Sequence, residues 1–481
     1  MSLLLKNQPL TVDNENPFKD DCLERKTSIE NLTILIQSLT QSFVISIEAP
    51  WGSGKTTYVK MWKQYLENNS HASLYFNAWE NDIAADPLIA FLGEMNKLLE
   101  MEKNKGKNRT IKNSLAKVQK IGGTLIKKTL PITIQLVTQG IVSKEVVANL
   151  PNLLIETKDE IADAVSEITK DSIKAYEQEK NSIETFKTEL AKFSELISTG
   201  GKRKPLVVFV DELDRCRPNY AIELLERIKH LFNVPGVVFV LSLDRQQLEN
   251  SVAAIYGANI DTSGYLARFI DYRFRLPVGN DDNFVNYLVK RFGFDELFQV
   301  RATNNHRSVY EYDNFLHSVK TWFNILHLNL RLQEQCFTEM NIVLRLTLEN
   351  NYSLAETLPF IATIKLTSPD RYQDLVNKTI TPEELINSLP KSQETKKFVG
   401  DYIGGYFEGI LYRYLCTEEQ IDQKVQVYSD LEKSGGDMQV TKDRARGFLT
   451  YVHQPGFFYR NYSEIGSLIS KFEIVDSINV V

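Results

Sequence analysis

Four short, largely apolar runs, Phe43–Ile47, Leu74–Phe76, Leu206–Val210 and Val237–Leu241, punctuate the first half of the chain, and Tyr272–Leu276, closed by Pro277, reads as a last strand. Their lengths and their β-branched and aromatic content predict strands, and the unbroken runs predict strands covered on both faces. The second run continues into Asn77-Ala78-Trp79-Glu80. Between the runs, apolar residues recur three and four apart, as in Ile29, Leu32, Ile36 and Leu39, or Leu224, Leu225, Ile228, Leu231 and Phe232. That spacing predicts helices with one buried face. Thr27 with Glu30 has the spacing of a capping box, Pro218 suits a first helical turn, and Gly257 suits a helix end. Strands alternating with helices predict an α/β fold built on a parallel sheet.

Beyond Pro277 the pattern turns predominantly helical: Phe284, Tyr287, Leu288 and Phe292, then Phe315–Phe323, then Leu330–Leu348, then Leu385, Ile386 and Leu389. The last stretch is rich in tyrosine and phenylalanine, with Gly404-Gly405 and Gly435-Gly436 as turn signals. Residues 102–200 stand apart. From Lys103 to Lys128 there are nine basic residues and no acidic one, interleaved with an apolar stripe of Ile111, Leu115, Val118 and Ile121. Gly122-Gly123 interrupts that stripe, and a moderately apolar run from Leu130 to Val142 follows. From Glu156 to Glu195 acidic residues are scattered along a long helical pattern. Two readings fit: a helical insertion with solvated charged faces, or a basic amphipathic segment for an anionic membrane surface, a nucleic acid or a partner protein. The domains expected are a discontinuous core over 20–101 and 201–277, a helical insertion over 102–200, a lid-like region over 278–390, and a region over 391–481 with no legible role.

Composition narrows the class only a little. The 481 residues allow several domains, and a net charge of −6 excludes general electrostatic binding of nucleic acid, so any basic surface is local. Cys22, Cys216, Cys336 and Cys416 are too scattered for a zinc site or disulfide framework. No apolar run reaches the length of a membrane span, and no signal peptide is evident. The expected location is cytoplasmic, with contact at the inner face of the membrane as the other candidate.

Chemistry enters at Glu48-Ala49-Pro50-Trp51-Gly52-Ser53-Gly54-Lys55-Thr56-Thr57, between the first strand and a helix. Strand, glycine-rich turn and helix start form the setting of a phosphate-binding loop. Gly52 and Gly54 let successive N–H groups turn toward phosphate oxygens, Lys55 reaches the β- and γ-phosphates, and the Thr56 hydroxyl ligates Mg²⁺. Ala49 stands where the pattern has its first glycine. The acidic pair Asp211-Glu212 closes the third strand, which places Asp211 to hold the metal and Glu212 to polarise the attacking water. Ser242 and Asp244 end the fourth strand, near where a γ-phosphate or water would lie. Asp244 fits equally well as the cap of the helix over Arg245–Tyr256.

Pro50-Trp51-Gly52-Ser53-Gly54-Lys55-Thr56, Phe76-Asn77-Ala78-Trp79 and Val210-Asp211-Glu212-Leu213-Asp214-Arg215-Cys216 resemble the KAP family of P-loop NTPases. Pro235-Gly236-Val237-Val238-Phe239, Leu243-Asp244-Arg245 and Phe274-Arg275-Leu276-Pro277 extend the likeness. The resemblance implies an additional-strand core related to AAA+ and STAND ATPases, with the catalytic strand placed between the phosphate-loop strand and its neighbour. It implies ATP and Mg²⁺ as cofactors, hydrolysis that drives a conformational switch, a homo-oligomer or protein partner, and a role in bacterial defence against phage. Many members carry transmembrane helices in the insertion, and this chain departs from them. It also has Glu212 where the family more often has Asp, which fits hydrolysis. Arginines supply transition-state charge in such enzymes. Arg268 and Arg273, near the last strand, are candidate fingers, and Arg331 in Leu328-Asn329-Leu330-Arg331-Leu332 is a candidate sensor; surface ion pairing is the alternative for each. Asp214 and Arg215 are read either as an ion pair that sets the following helix or as a coupling to an interface. The competing functional reading is a nucleotide-regulated binding or signalling module with little turnover. A small-molecule phosphotransferase lacks an acceptor motif, and Asn377-Lys378 lacks the following residues that guanine recognition needs.

Overall fold

The computed structural model describes residues 11–84, 86–100, 108–128, 160–198, 204–277, 281–304, 310–347, 355–433, 439–453 and 464–478. It divides into two compact units, Leu10–Pro277 and Val278–Val481. The first opens with α1 (Lys26–Ser38), β1 (Phe43–Glu48), α2 (Lys55–Asn68) and β2 (Ser73–Asn77). It continues through α3 (Pro87–Glu94), α4 (Lys97–Glu100), α5 (Asn108–Lys128) and α6 (Glu160–Ile197). Then come β3 (Leu206–Asp211), a 3-10 turn (Leu213–Arg215), α7 (Pro218–Leu231), β4 (Val237–Leu243), α8 (Arg245–Tyr256), α9 (Thr262–Leu266) and β5 (Tyr272–Arg275).

The strands form one parallel sheet in the order β2-β3-β4-β1-β5. The expected fold class is therefore present, but the acidic strand β3 does not lie beside the phosphate-loop strand β1 as expected: β4 is inserted between them, and β3 sits between β4 and β2. Side chains alternate across a strand, so register fixes the contents of each face. Ile45, Ile47, Val207, Phe209, Val238 and Val240 pack with Ile29 and Ile36 of α1 and with Tyr58 and Trp62 of α2. On the other face Phe76, Val208, Val210, Phe239 and Leu241 pack with Phe91 of α3, Phe186 and Phe193 of α6, and Leu224 and Leu225 of α7.

Several expectations change here. The cap residue of α1 is Arg25, with no side-chain capping bond, so Thr27 and Glu30 form no capping box. Helix α5 runs unbroken through Gly122-Gly123. A Cβ on Gly122 would lie 2.4 Å from Leu92 Cδ1, so close packing is the reason for that glycine. Ile111, Leu115 and Val118 are buried in the same core cluster as Phe186, Leu190 and Phe193 of α6. Ile111, Leu115 and Val118 of the apolar stripe are thus covered by the protein itself, and Ile121 packs partly buried against the same cluster. Arg109, Lys112, Lys117 and Lys120 remain on the exposed face. Lys103, Lys105, Lys107, the run Leu130–Val142 and Gly435-Gly436 lie outside the described residues. No helix among the described residues is long and apolar enough to cross a membrane.

The second unit is helical: α10 (Asp281–Phe292), α11 (Phe294–Asn304), α12 (Glu311–Ile325), α13 (Leu330–Arg345), α14 (Leu358–Thr367) and α15 (Pro369–Val376). It closes with α16 (Pro382–Asn387), α17 (Gln393–Gly400), α18 (Tyr402–Leu415), α19 (Glu418–Lys433), α20 (Gln439–His453) and α21 (Glu464–Ile478). Gly404 and Gly405 lie inside α18 and make no turn. A Cβ on Gly405 would stand 1.9 Å from Arg444 O, and one on Gly447 would stand 1.9 Å from Tyr402 O. These glycines let the backbones of α18 and α20 touch. Beside that crossing, the fully buried Glu408 accepts from Tyr428 Oη at 2.8 Å and from Arg444 Nε at 2.8 Å. A buried polar group left without such partners would be costly.

Candidate functional site

The site grows from the carboxyl ends of β1, β3 and β4, where a parallel sheet places its ligands. Gly52 and Gly54 take φ of +80° and +79°, the left-handed backbone that glycine tolerates best. Ala49 is not among the positive-φ residues, so this loop does not need glycine at its first position. Gly54 leads directly into α2, whose first residue is Lys55. The Lys55 ammonium donates to Ala49 O at 2.7 Å and Pro50 O at 3.1 Å, folded back across the loop. Burial pulls its pKa below the usual lysine value, while Asp214, Asp244 and Asp211 favour the charged form. Thr56 and Thr57 follow in the first turn of α2, and Pro50 is exposed.

Register explains why the acidic strand serves the loop. Asp211 pairs with Ser242 across β3 and β4, and with Asn77 across β2 and β3. Counting by twos from Val207 and Val238, Asp211 and Ser242 lie on the sheet face that packs against α2. Asp211 is 1% exposed, accepts from Tyr75 Oη at 2.9 Å, and accepts from the Glu212 N–H at 3.0 Å. The Ser242 Oγ and Ser53 Oγ are both buried without a hydrogen-bond partner among the described residues. Buried hydroxyls left unpaired are costly, and a phosphate oxygen or water is the kind of group that would satisfy them.

Glu212 stands one residue past β3 at φ +60°, unusual for a residue with a Cβ. Its carboxylate pairs with Arg215 at 2.9 Å and receives a long contact of 3.5 Å from Asn77 Nδ2. Burial raises its pKa and Asp211 adds to the rise, while Arg215 pulls it back. Arg215 thus pairs with Glu212, and the expected Asp214–Arg215 ion pair does not form. Asp214 instead accepts from the Trp51 indole, and Asp244 caps α8 by accepting from Gln246 N at 3.1 Å. The other Asp244 oxygen accepts from Trp51 N at 3.2 Å, so that residue serves the helix and the loop together.

The three candidate arginines fare differently. Arg273 grips Glu48 through Nε at 3.1 Å and through a second nitrogen at 3.0 Å. Burial pushes the Glu48 carboxyl upward, yet bonds from Arg273 and Ser46 outweigh it and hold the pKa low. Arg273 is therefore committed to an ion pair within its own unit. Arg268 is exposed, and its side chain makes no hydrogen bond or ion pair among the described residues. Arg331 lies exposed in the first turn of α13, in the second unit.

One residue escaped the sequence reading. Arg25, 5% exposed, donates to Gly54 O at 2.8 Å and Ser53 O at 2.7 Å. Its fork holds the carbonyls of the loop on one side, which favours N–H groups facing the other. Nothing local marks such a residue, because its partners lie 28 and 29 positions further along the chain.

None of the curated proteins compared with the chain matches it. The family model described as the KAP family P-loop domain matches residues 25–368.

Proposed function

The chain belongs to the KAP family of P-loop NTPases, and on that premise we propose that it binds ATP with Mg²⁺ and hydrolyses it to drive a conformational switch. The observation that carries this reading is the convergence on one sheet face of the loop bearing Lys55, the buried Asp211 and the unpartnered Ser242 hydroxyl.

The residues present suit the cofactor. Thr56 and Asp211 would hold Mg²⁺, since a hydroxyl and a carboxylate are the hard oxygen donors that ion takes. When bound, the ion neutralises charge on the phosphates during transfer. Lys55 would exchange its bonds to Ala49 O and Pro50 O for phosphate oxygens. The N–H groups of Gly52 to Thr56 would line the same phosphates. Glu212 would accept a hydrogen bond from the attacking water and, as transfer proceeds, its proton. The Ser242 hydroxyl would contact that water or the γ-phosphate. Exposed Arg268 suits a finger offered to a neighbouring molecule better than Arg273, which is already bound to Glu48.

The Glu212–Arg215 ion pair favours a second reading, a nucleotide-regulated module with little turnover of its own. In that version a partner must free Glu212 before hydrolysis proceeds. The basic face of α5 supports an electrostatic contact with an anionic partner.

Calorimetric titration with ATP and ADP, each with and without Mg²⁺, tests the binding half. Wild type should bind both and Lys55→Ala neither. Equal binding by the two proteins would remove Lys55 from the site.

A further inference from the structure

Trp51 exposes 43% of its surface, yet its polar edge is not given to solvent. The indole N–H donates to Asp214 Oδ2 at 2.6 Å, a short bond to a carboxylate. The same oxygen accepts from the Asp244 N–H at 3.0 Å, and Asp244 Oδ2 accepts from the Trp51 N–H at 3.2 Å. A closed ring of three hydrogen bonds therefore joins the phosphate loop, the turn after β3 and the end of β4. Asp214 is 7% exposed, so its partners in the ring are not readily replaced by water.

Asp214 is the middle residue of a single 3-10 turn, Leu213–Arg215, and Glu212 is the residue that opens it. Arg215, which closes the turn, holds the Glu212 carboxylate. Glu212 keeps a left-handed backbone that a non-glycine residue adopts only when its surroundings hold it there. Whatever moves Asp214 moves Glu212 with it, because the two are separated by one residue in one turn.

We propose that Trp51 is a positioning residue for the hydrolytic step. Its indole N–H ties the phosphate loop to the turn that carries Glu212, so the state of the loop sets where that carboxylate stands. This deepens the ATPase reading above and rests on Glu212 as the group that polarises water. Phenylalanine at this position would keep an aromatic ring and lose the donor together with the second ring of the indole, so the coupling to Asp214, rather than the single variant alone, isolates the hydrogen bond.

The test is a double-mutant cycle of Trp51→Phe and Asp214→Ala, read by steady-state phosphate release and by amide exchange in nucleotide-free protein. Losing a hydrogen bond to a buried carboxylate should lower kcat of Trp51→Phe about tenfold or more, with KM changed by less than about twofold. Adding Trp51→Phe to Asp214→Ala should cost nothing further, since the bond is already gone. A rise in KM at constant kcat, or losses that multiply, would overturn the proposal. Without nucleotide, the amides of Arg215 and Cys216, bonded to Glu212 O at 3.1 Å and Leu213 O at 3.3 Å, should exchange faster in Trp51→Phe. Unchanged exchange would overturn the tie even if Asp214→Ala fails to fold. If wild type releases no phosphate, the ATPase reading falls, and the exchange comparison still decides whether Trp51 holds the turn.

Discussion

Replacing Arg25 with methionine removes a buried fork and leaves a stem of similar reach. Two hydrogen bonds from a charged donor disappear, to Gly54 O at 2.8 Å and Ser53 O at 2.7 Å. Each is worth about 1.5–3 kcal/mol, so roughly 3 kcal/mol is the lower bound on what holds the loop in shape. If the binding-competent loop and its alternatives are near balance in wild type, losing that energy lowers the competent fraction from about one half to about 1% and weakens apparent affinity on the order of a hundredfold. Arg25→Lys keeps the charge without the two parallel donors and should recover only part of the loss. The assay is calorimetry with Mg-ADP alongside thermal melting of each variant. Affinity within about twofold of wild type in a folded Arg25→Met protein would refute the clamp. Affinity loss accompanied by an equal loss of global stability would make Arg25 a general structural residue.

Three further outcomes follow from the packing and charge. Gly405→Ala puts a methyl against Arg444 O, where 1.9 Å is available, and should destabilise the second unit by about 1–3 kcal/mol or more in denaturant titration. Glu408→Leu removes a buried carboxylate and strands Arg444 and Tyr428; a midpoint unchanged from wild type would show that this cluster contributes nothing. His71 is 3% exposed, bonded at Nε2 to Gln37 at 3.0 Å, and burial together with nearby Lys204 lowers its pKa from 6.5 to about 4. Below pH 6.5 the unfolded chain gains a proton that the folded one refuses, so stability falls as pH drops from 6.5 toward 4. The loss from this group is at most about 3 kcal/mol, and His71→Leu should flatten that part of the stability–pH curve.

The parallel core was legible because its signals are local. Unbroken apolar runs such as Val237–Leu241 read as buried strands, and Pro218 and Gly257 mark the ends of α7 and α8 by backbone chemistry alone. The loop and the acidic strand end were legible for the same reason. What escaped depends on distant partners. Arg25 stands just ahead of α1, where no local pattern distinguishes it from its polar neighbours, and only Ser53 and Gly54 reveal its role. Gly404-Gly405 were misread because glycine signals a turn and a close helix crossing with the same letter, and only Arg444 on α20 decides between them. The apolar stripe of α5 suited a helical insertion or a segment for a membrane surface, a nucleic acid or a partner, and its cover, Phe186 and Phe193, comes some 70 residues later, a separation local pattern reading does not bridge.

The central claim is that Glu212 activates water for hydrolysis of ATP held by the Lys55 loop. Phosphate release in a single turnover, with Mg-ATP bound to wild type and to Glu212→Gln, addresses it most directly. Glutamine keeps the shape and loses the base, so Glu212→Gln should bind ATP as wild type does and release phosphate at least about a hundredfold more slowly. Equal rates from the two proteins would contradict the assignment of Glu212 and, with it, the mechanism.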